Sequence, residues 1–146
     1  MCRTVAPLLL SLACAAALAG CRAGGAGGGG ADDVSVDAVV RQLKEFTDEL
    51  ASKVESAPDP KAGVAEAQRL LDARKAELSA RVAALKRKGL AEDAPARGKW
   101  LEAEVDNTRR VRELKLKHLD ASLRDPELKA AFERLAADYD SLYRDR

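Results

Sequence analysis

Proline placement constrains this chain more than any other feature. Of its five prolines, four stand in or beside the breaks between long runs with helical periodicity. Proline has no amide proton for a helix interior and its ring clashes with the preceding turn, so it is tolerated at a helix start and not beyond. Asp59-Pro60 and Asp125-Pro126 each set a side-chain acceptor ahead of a proline, the N-cap and first-residue pair that opens a helix. Pro58 closes the run before Asp59, and Pro95 opens another after the loop 89–94. Gly89 follows Lys86, Arg87 and Lys88, three cations suited to the negative end of a helix dipole, with glycine as the C-terminal cap.

Between these breaks the apolar residues recur at three- and four-residue steps, the period of one helix face. The first helix, from Asp33 or Ser35 to about Ala57, turns Val36, Val39, Val40, Leu43, Phe46, Leu50 and Val54 inward. The second carries Val64, Leu71, Leu78, Val82 and Leu85, and the last Leu128, Phe132, Leu135, Tyr139 and Leu142. The third is the least regular, with Trp100, Leu101, Val105, Val111, Leu114 and Leu119 as its inward set. No alternating β-branched run is present, so the expected class is all-α. Short breaks between long helices predict an antiparallel up-down four-helix bundle over 32–146. A single long coiled coil is excluded by Pro58, Pro60, Gly89, Pro95 and Pro126, which interrupt the heptads.

The first thirty residues follow a different logic. Arg3 precedes Pro7 and the apolar run Leu8–Ala19, too short for the roughly 20 residues that cross a bilayer but the length of a signal-peptide core. The run ends in Leu18-Ala19-Gly20-Cys21, which resembles the lipobox of bacterial lipoproteins. The resemblance implies diacylglycerol on the Cys21 sulfur, cleavage of 1–20 and acylation of the new amino group. Several acyl chains, at about 0.8 kcal/mol per buried methylene, would hold the protein at a membrane without a spanning helix. Six glycines lie among the ten residues after Cys21, so 21–31 is expected to be a flexible tether. Arg22 rather than aspartate follows the cysteine, which in that family favours the outer membrane, on its periplasmic side or surface, over the inner one.

Removal of 1–20 would also remove Cys2, Cys14 and Met1, leaving Cys21 as the one cysteine and no methionine. No disulfide, cysteine nucleophile or thiolate metal site is then available. The 25 basic and 24 acidic residues balance, which excludes a general nucleic-acid binder needing clustered positive charge. Length, topology and the tyrosine-bearing last helix loosely resemble the small periplasmic four-helix b-type cytochromes. The haem ligands that resemblance implies are missing: the mature chain has no methionine, and its one histidine, His118, lies on the third helix. Residues 59–78 are also similar to a stretch of small uncharacterised helical proteins of bacterial envelopes.

No constellation carries chemistry. Glu104 and His118 do not form the Glu-x-x-His pattern of di-metal bundles, and Glu102, Glu104 and Asp106 spread around a helix as a solvated surface. His118 borders the apolar stripe and is expected to be half-buried beside a carboxylate. No serine lies in a nucleophile-elbow context, and the tether glycines lack the Lys-Ser/Thr end of a phosphate loop. No catalytic residue, cofactor or metal is therefore expected, and an enzyme is not.

Charge is the more informative signal. The four segments carry about −4, +4, +3 and −2 over 32–57, 59–88, 94–124 and 125–146. In an up-down ring the second and third helices are neighbours, which predicts one basic and one acidic side. Arg109, Arg110, Arg112, Lys115 and Lys117 would form the basic face, a docking surface for an anionic lipid or an acidic envelope protein. The expected function is a membrane-anchored, non-catalytic interaction or structural module of the envelope. The alternative is a small apolar-ligand carrier or sensor using Phe46, Trp100, Phe132, Tyr139 and Tyr143, with an envelope stress chaperone further off.

Overall fold

A computed structural model describes residues 35–88, 90 and 93–144. Cys21, the signal segment 1–20 and the tether 21–31 lie outside the described residues. Within them the chain is all-α, with no strand and five helices: α1 Val36–Glu55, α2 Pro60–Arg87, α3 Ala94–Lys117, α4 Leu119–Arg124 and α5 Pro126–Asp140.

The starts lie where the punctuation puts them. Asp59 accepts hydrogen bonds from the Lys61 and Ala62 amides at 3.2 and 3.1 Å, and Asp125 accepts from Glu127 and Leu128 at 2.9 and 3.1 Å. Ser35 caps α1 through the Ala38 amide and Asp93 caps α3 through the Ala96 amide, both at 3.2 Å. Each cap of this kind contributes about 1 kcal/mol by satisfying an amide that has no partner inside its helix.

The expected third helix does not run unbroken to 124. His118 has φ −107° and ψ 22°, off the helical values, and closes α3 as it opens α4. Its amide still bonds the Leu114 carbonyl at 3.3 Å and its carbonyl accepts from Ser122 at 2.9 Å, so the ladder bends rather than stops. The bend tips α4 against α5.

The ring order also differs from expectation. α1 packs on α2 and α3, and α5 packs on α2, α3 and α4, whereas α2 and α3 nowhere bring their Cα atoms within 8 Å. Contacts fix the directions. Lys99 of α3 meets Asp37 at the start of α1, and Arg110 meets Glu55 at its end, so α1 and α3 run parallel. Lys61 bonds Glu127 near the starts of α2 and α5, and Lys75 bonds Asp138 further along, so these two are parallel as well. The consecutive helices α2 and α3 therefore lie on a diagonal rather than side by side, and a ring in chain order is not the arrangement found.

The core runs down the middle of the four long helices. Val39, Leu43, Phe46, Leu50 and Val54 of α1, Val64, Leu71, Leu78, Val82 and Leu85 of α2, and Leu128, Phe132, Leu135 and Tyr139 of α5 are all buried. Leu142 and Tyr143 extend it past the end of α5. α3 departs from its expected pattern: Trp100, Val111 and Leu114 are buried, but Leu101, Val105 and Leu119 are 51, 62 and 43 % exposed. The core-facing line of α3 passes instead through Asn107, seven residues after Trp100.

α1 and α2 approach closely just after their turn. A Cβ on Gly63 would lie 2.8 Å from the Ala57 Cβ and 3.0 Å from the Lys53 carbonyl and Val54 Cα. Gly63→Ala is expected to lower the urea midpoint, because overpacking costs about 1–3 kcal/mol and exceeds the gain of about 1 kcal/mol in helix propensity. Gly98→Ala meets nothing within 4 Å and should raise the midpoint. Chemical denaturation of the two variants beside the parent checks both signs.

Candidate interaction surface

At the centre of the helices lies a chain of polar side chains. Thr47 of α1, Tyr139 of α5, Tyr143 beyond it and Asn107 of α3 are all buried. The Thr47 hydroxyl donates to the Leu43 carbonyl at 2.6 Å, which commits its single proton. Tyr139 must then donate to Thr47, Tyr143 to Tyr139 at 3.3 Å, and Asn107 Nδ2 to Tyr143 at 3.4 Å. Donation runs one way, from α3 through α5 to α1, and every hydroxyl is used once. Burial pushes the Tyr139 hydroxyl far above its ordinary value and raises that of Tyr143 as well, so both are uncharged at physiological pH.

Four of the five aromatic rings considered as ligand contacts, Phe46, Trp100, Tyr139 and Tyr143, pack on one another. Phe46 and Tyr139 stack at 6.4 Å, Trp100 and Tyr143 tilt at 5.6 Å, and Arg74 sits 5.5 Å over Phe46. His118 is half-buried as expected, yet its neighbour is the ring of Phe132 at 5.6 Å rather than a carboxylate. Among the described residues no group of three or more His, Cys, Asp or Glu side chains is placed to hold a metal ion. No described helix is long and apolar enough to cross a membrane.

The five cations expected to form one basic face are divided by the fold. Arg110 and Lys117 turn to Glu55 on α1, while Arg112 and Lys115 turn to Asp140 and Glu133 on α5, at 2.7 and 3.0 Å. Arg109 stays on its own helix, 2.7 Å from Asp106 and 3.9 Å from Glu113. The expectation of a basic side and an acidic side fails for the same reason. With α2 and α3 on a diagonal, each basic helix lies between the two acidic ones. Every ion pair between helices among the described residues joins a cation of α2 or α3 to an anion of α1, of α5 or of the α5 cap.

The outward face of α3 carries a line of apolar side chains among charged ones. Leu101, Val105, Thr108, Arg112 and Leu116, flanked by Glu104, Arg109 and Glu113, line one open groove of about 700 Å³ whose other wall is Asp140, Tyr143 and Arg144. Leu116 is 66 % exposed, and beyond the bend Leu119 and Leu123 are 43 and 71 % exposed. These five side chains are the exposed large hydrophobics among the described residues, all on α3 and α4. Scattered exposed leucines need no explanation, but a line of them on one element marks a contact surface. The signal was legible as the irregular periodicity of the third segment, and reading Leu101, Val105 and Leu119 as core concealed it.

No family model, curated protein or solved structure matches this chain.

The ion pairs have a consequence in acid. A hydrogen bond from Lys117, with Arg110 nearby, holds the Glu55 carboxyl below its ordinary 4.5, and Lys115 does the same to Glu133. A hydrogen bond from Lys75 holds Asp138 below its ordinary 3.8. A carboxyl with a depressed folded value stabilises the fold above its unfolded value and gives up that contribution as pH falls through the folded one. The melting temperature should therefore be insensitive to these groups above about pH 5 and fall as they are protonated at lower pH. Glu55→Gln should flatten part of that fall, measured by thermal melts between neutral and strongly acid buffer.

Proposed function

We propose that this protein is a lipid-anchored interaction module of a bacterial envelope. It is held by Cys21 and presents the outward face of α3 and α4 to a protein partner. The observation that carries the anchor is Leu18-Ala19-Gly20-Cys21 at the end of the short apolar run Leu8–Ala19, followed by the glycine-rich 21–31. The apolar line Leu101, Val105, Leu116, Leu119 and Leu123 supports the second half, since exposing such side chains to water is unfavourable unless a partner covers them. In this reading the four long helices act as one bundle, with α4 as the bent end of the third. Its work is binding rather than catalysis, at the outer membrane and without cofactor.

The docking surface is accordingly apolar. Each of the five α3 cations already has a carboxylate neighbour. Pairs this exposed are worth about 0–1 kcal/mol, so an anionic partner could still compete for them, but only by exchanging one carboxylate for another.

Mass spectrometry of the protein purified from bacterial membranes tests the anchor. The expected product begins at Cys21 and carries the added mass of a diacylglyceryl group and an amide-linked acyl chain, and Cys21→Ser loses both lipid and membrane association. A product that retains residues 1–20 and an unmodified thiol at position 21 would overturn it.

A further inference from the structure

The exposed line on α3 and α4 has a second property: it reads the same in both directions. Leu101, Val105, Thr108, Arg112, Leu116, Leu119 and Leu123 follow one another at steps of four, three, four, four, three and four. The first five of these line a single groove, so they share a face in the fold as well as in the spacing. The bonds from His118 to Leu114 and from Ser122 to His118 carry the helical ladder past the bend toward Leu119 and Leu123. The α3 part of the line, Leu101 to Leu116, spans roughly 23 Å at 1.5 Å per residue.

We infer that this face is a two-fold interface between two copies of the chain, with the α3–α4 segments paired antiparallel and Arg112 on the axis. A two-fold interface must be self-complementary, since each residue's partner is partnered in turn by its equivalent. The mirrored spacing meets that condition. Leu101 faces Leu123 of the second copy, Val105 faces Leu119, and Thr108 faces Leu116, so each apolar side chain meets an apolar or methyl-bearing one. Steps of three and four are those of a helix-pair seam.

Charges agree with the pairing. Arg109 and Glu113 border the seam on one flank, and the two-fold sets Arg109 of one copy against Glu113 of the other, twice. In the single chain this pair is loose, at 3.9 Å. Toward the ends, Glu102 falls opposite Asp120 and Arg124 of the second copy, one charge of each sign. The remaining problem is Arg112 facing itself. Its guanidinium lies 2.7 Å from Asp140, which is 18 % exposed, so what meets at the axis is two ion pairs rather than two bare cations. A polar residue at one point of an apolar seam also fixes register, because any slip would bury it against leucine. In a parallel pair the two-fold runs along the helices and carries this flank of one copy to the opposite side of the seam, so Arg109 and Glu113 of the two copies would not meet.

The inference rests on the interaction-module reading only in treating this face as a contact surface; it does not depend on Cys21. Cysteine crosslinking of the full chain under mild oxidation tests it. Arg112→Cys is expected to give a disulfide-linked dimer several-fold above the background that the native cysteines produce in the parent. Leu101→Cys alone and Leu123→Cys alone should stay at background, whereas the two variants mixed should crosslink to each other. Adding Leu116→Glu to Arg112→Cys should abolish the dimer and leave the melting curve intact, because Leu116 is 66 % exposed and contributes little to the core. Crosslinking by Leu101→Cys alone would overturn the antiparallel register. If Arg112→Cys stays at background, the dimer is refuted. Binding of the parent to phosphatidylethanolamine–phosphatidylglycerol vesicles that Leu116→Glu removes would then assign the face to the lipid surface. None of these outcomes bears on the mass of the Cys21 product, so the two readings fail separately.

Discussion

Everything in the interior is referred to one chain of hydrogen bonds. Thr47 has a single proton and gives it to the Leu43 carbonyl in its own helix, so it can only accept from across the core. That requirement orients Tyr139, then Tyr143, and ends at Asn107, which supplies amide protons without needing to accept one there. Three helices are thereby held in one rotational and axial setting. Apolar packing alone would tolerate several, since leucine and valine slide past one another at little cost. A half-satisfied buried network is worse than none, so a register that broke any link would leave a hydroxyl orphaned in the core.

Outside this centre, electrostatics follow topology. The diagonal placement of α2 and α3 sets each net-positive helix between two net-negative ones, and the ion pairs between helices then form on both flanks of α2 and α3. No single pair is worth much at the surface. Their collective effect is on choice: the alternative ring, with α2 beside α3 and α1 beside α5, would bring like charges together along two seams. The diagonal placement and the charge pattern agree with each other, which is what distinguishes one arrangement of four amphipathic helices from its competitors.

The same arrangement explains why the outer face of α3 is available. Its cations are drawn sideways to Glu55 on one flank and to Asp140 and Glu133 on the other. The strip between those flanks carries Leu101, Val105 and Leu116, with Thr108 and Arg112 among them. A face that would read as charged in a lone helix therefore holds an apolar line interrupted at Arg112. In the proposed lipid-anchored state, two-dimensional confinement would raise the local concentration of copies and help a modest interface to form.

The sequence by itself determined where helices begin and which faces of α1, α2 and α5 turn inward. Both are local properties: Asp59-Pro60, Asp93 and Asp125-Pro126 cap through amides two or three residues away, and a four-three spacing of leucine and valine needs no partner to be recognised. The half-buried state of His118 was legible on the same terms. Only the tertiary structure decided the ring order, the bend at His118, the burial of Thr47 and Asn107 and the exposure of Leu101, Val105 and Leu119. Each of these depends on which helix lies opposite. An asparagine on one helix is an ordinary polar residue until a tyrosine from another needs its proton, and a leucine at helical spacing is core or surface according to whether a neighbour covers it.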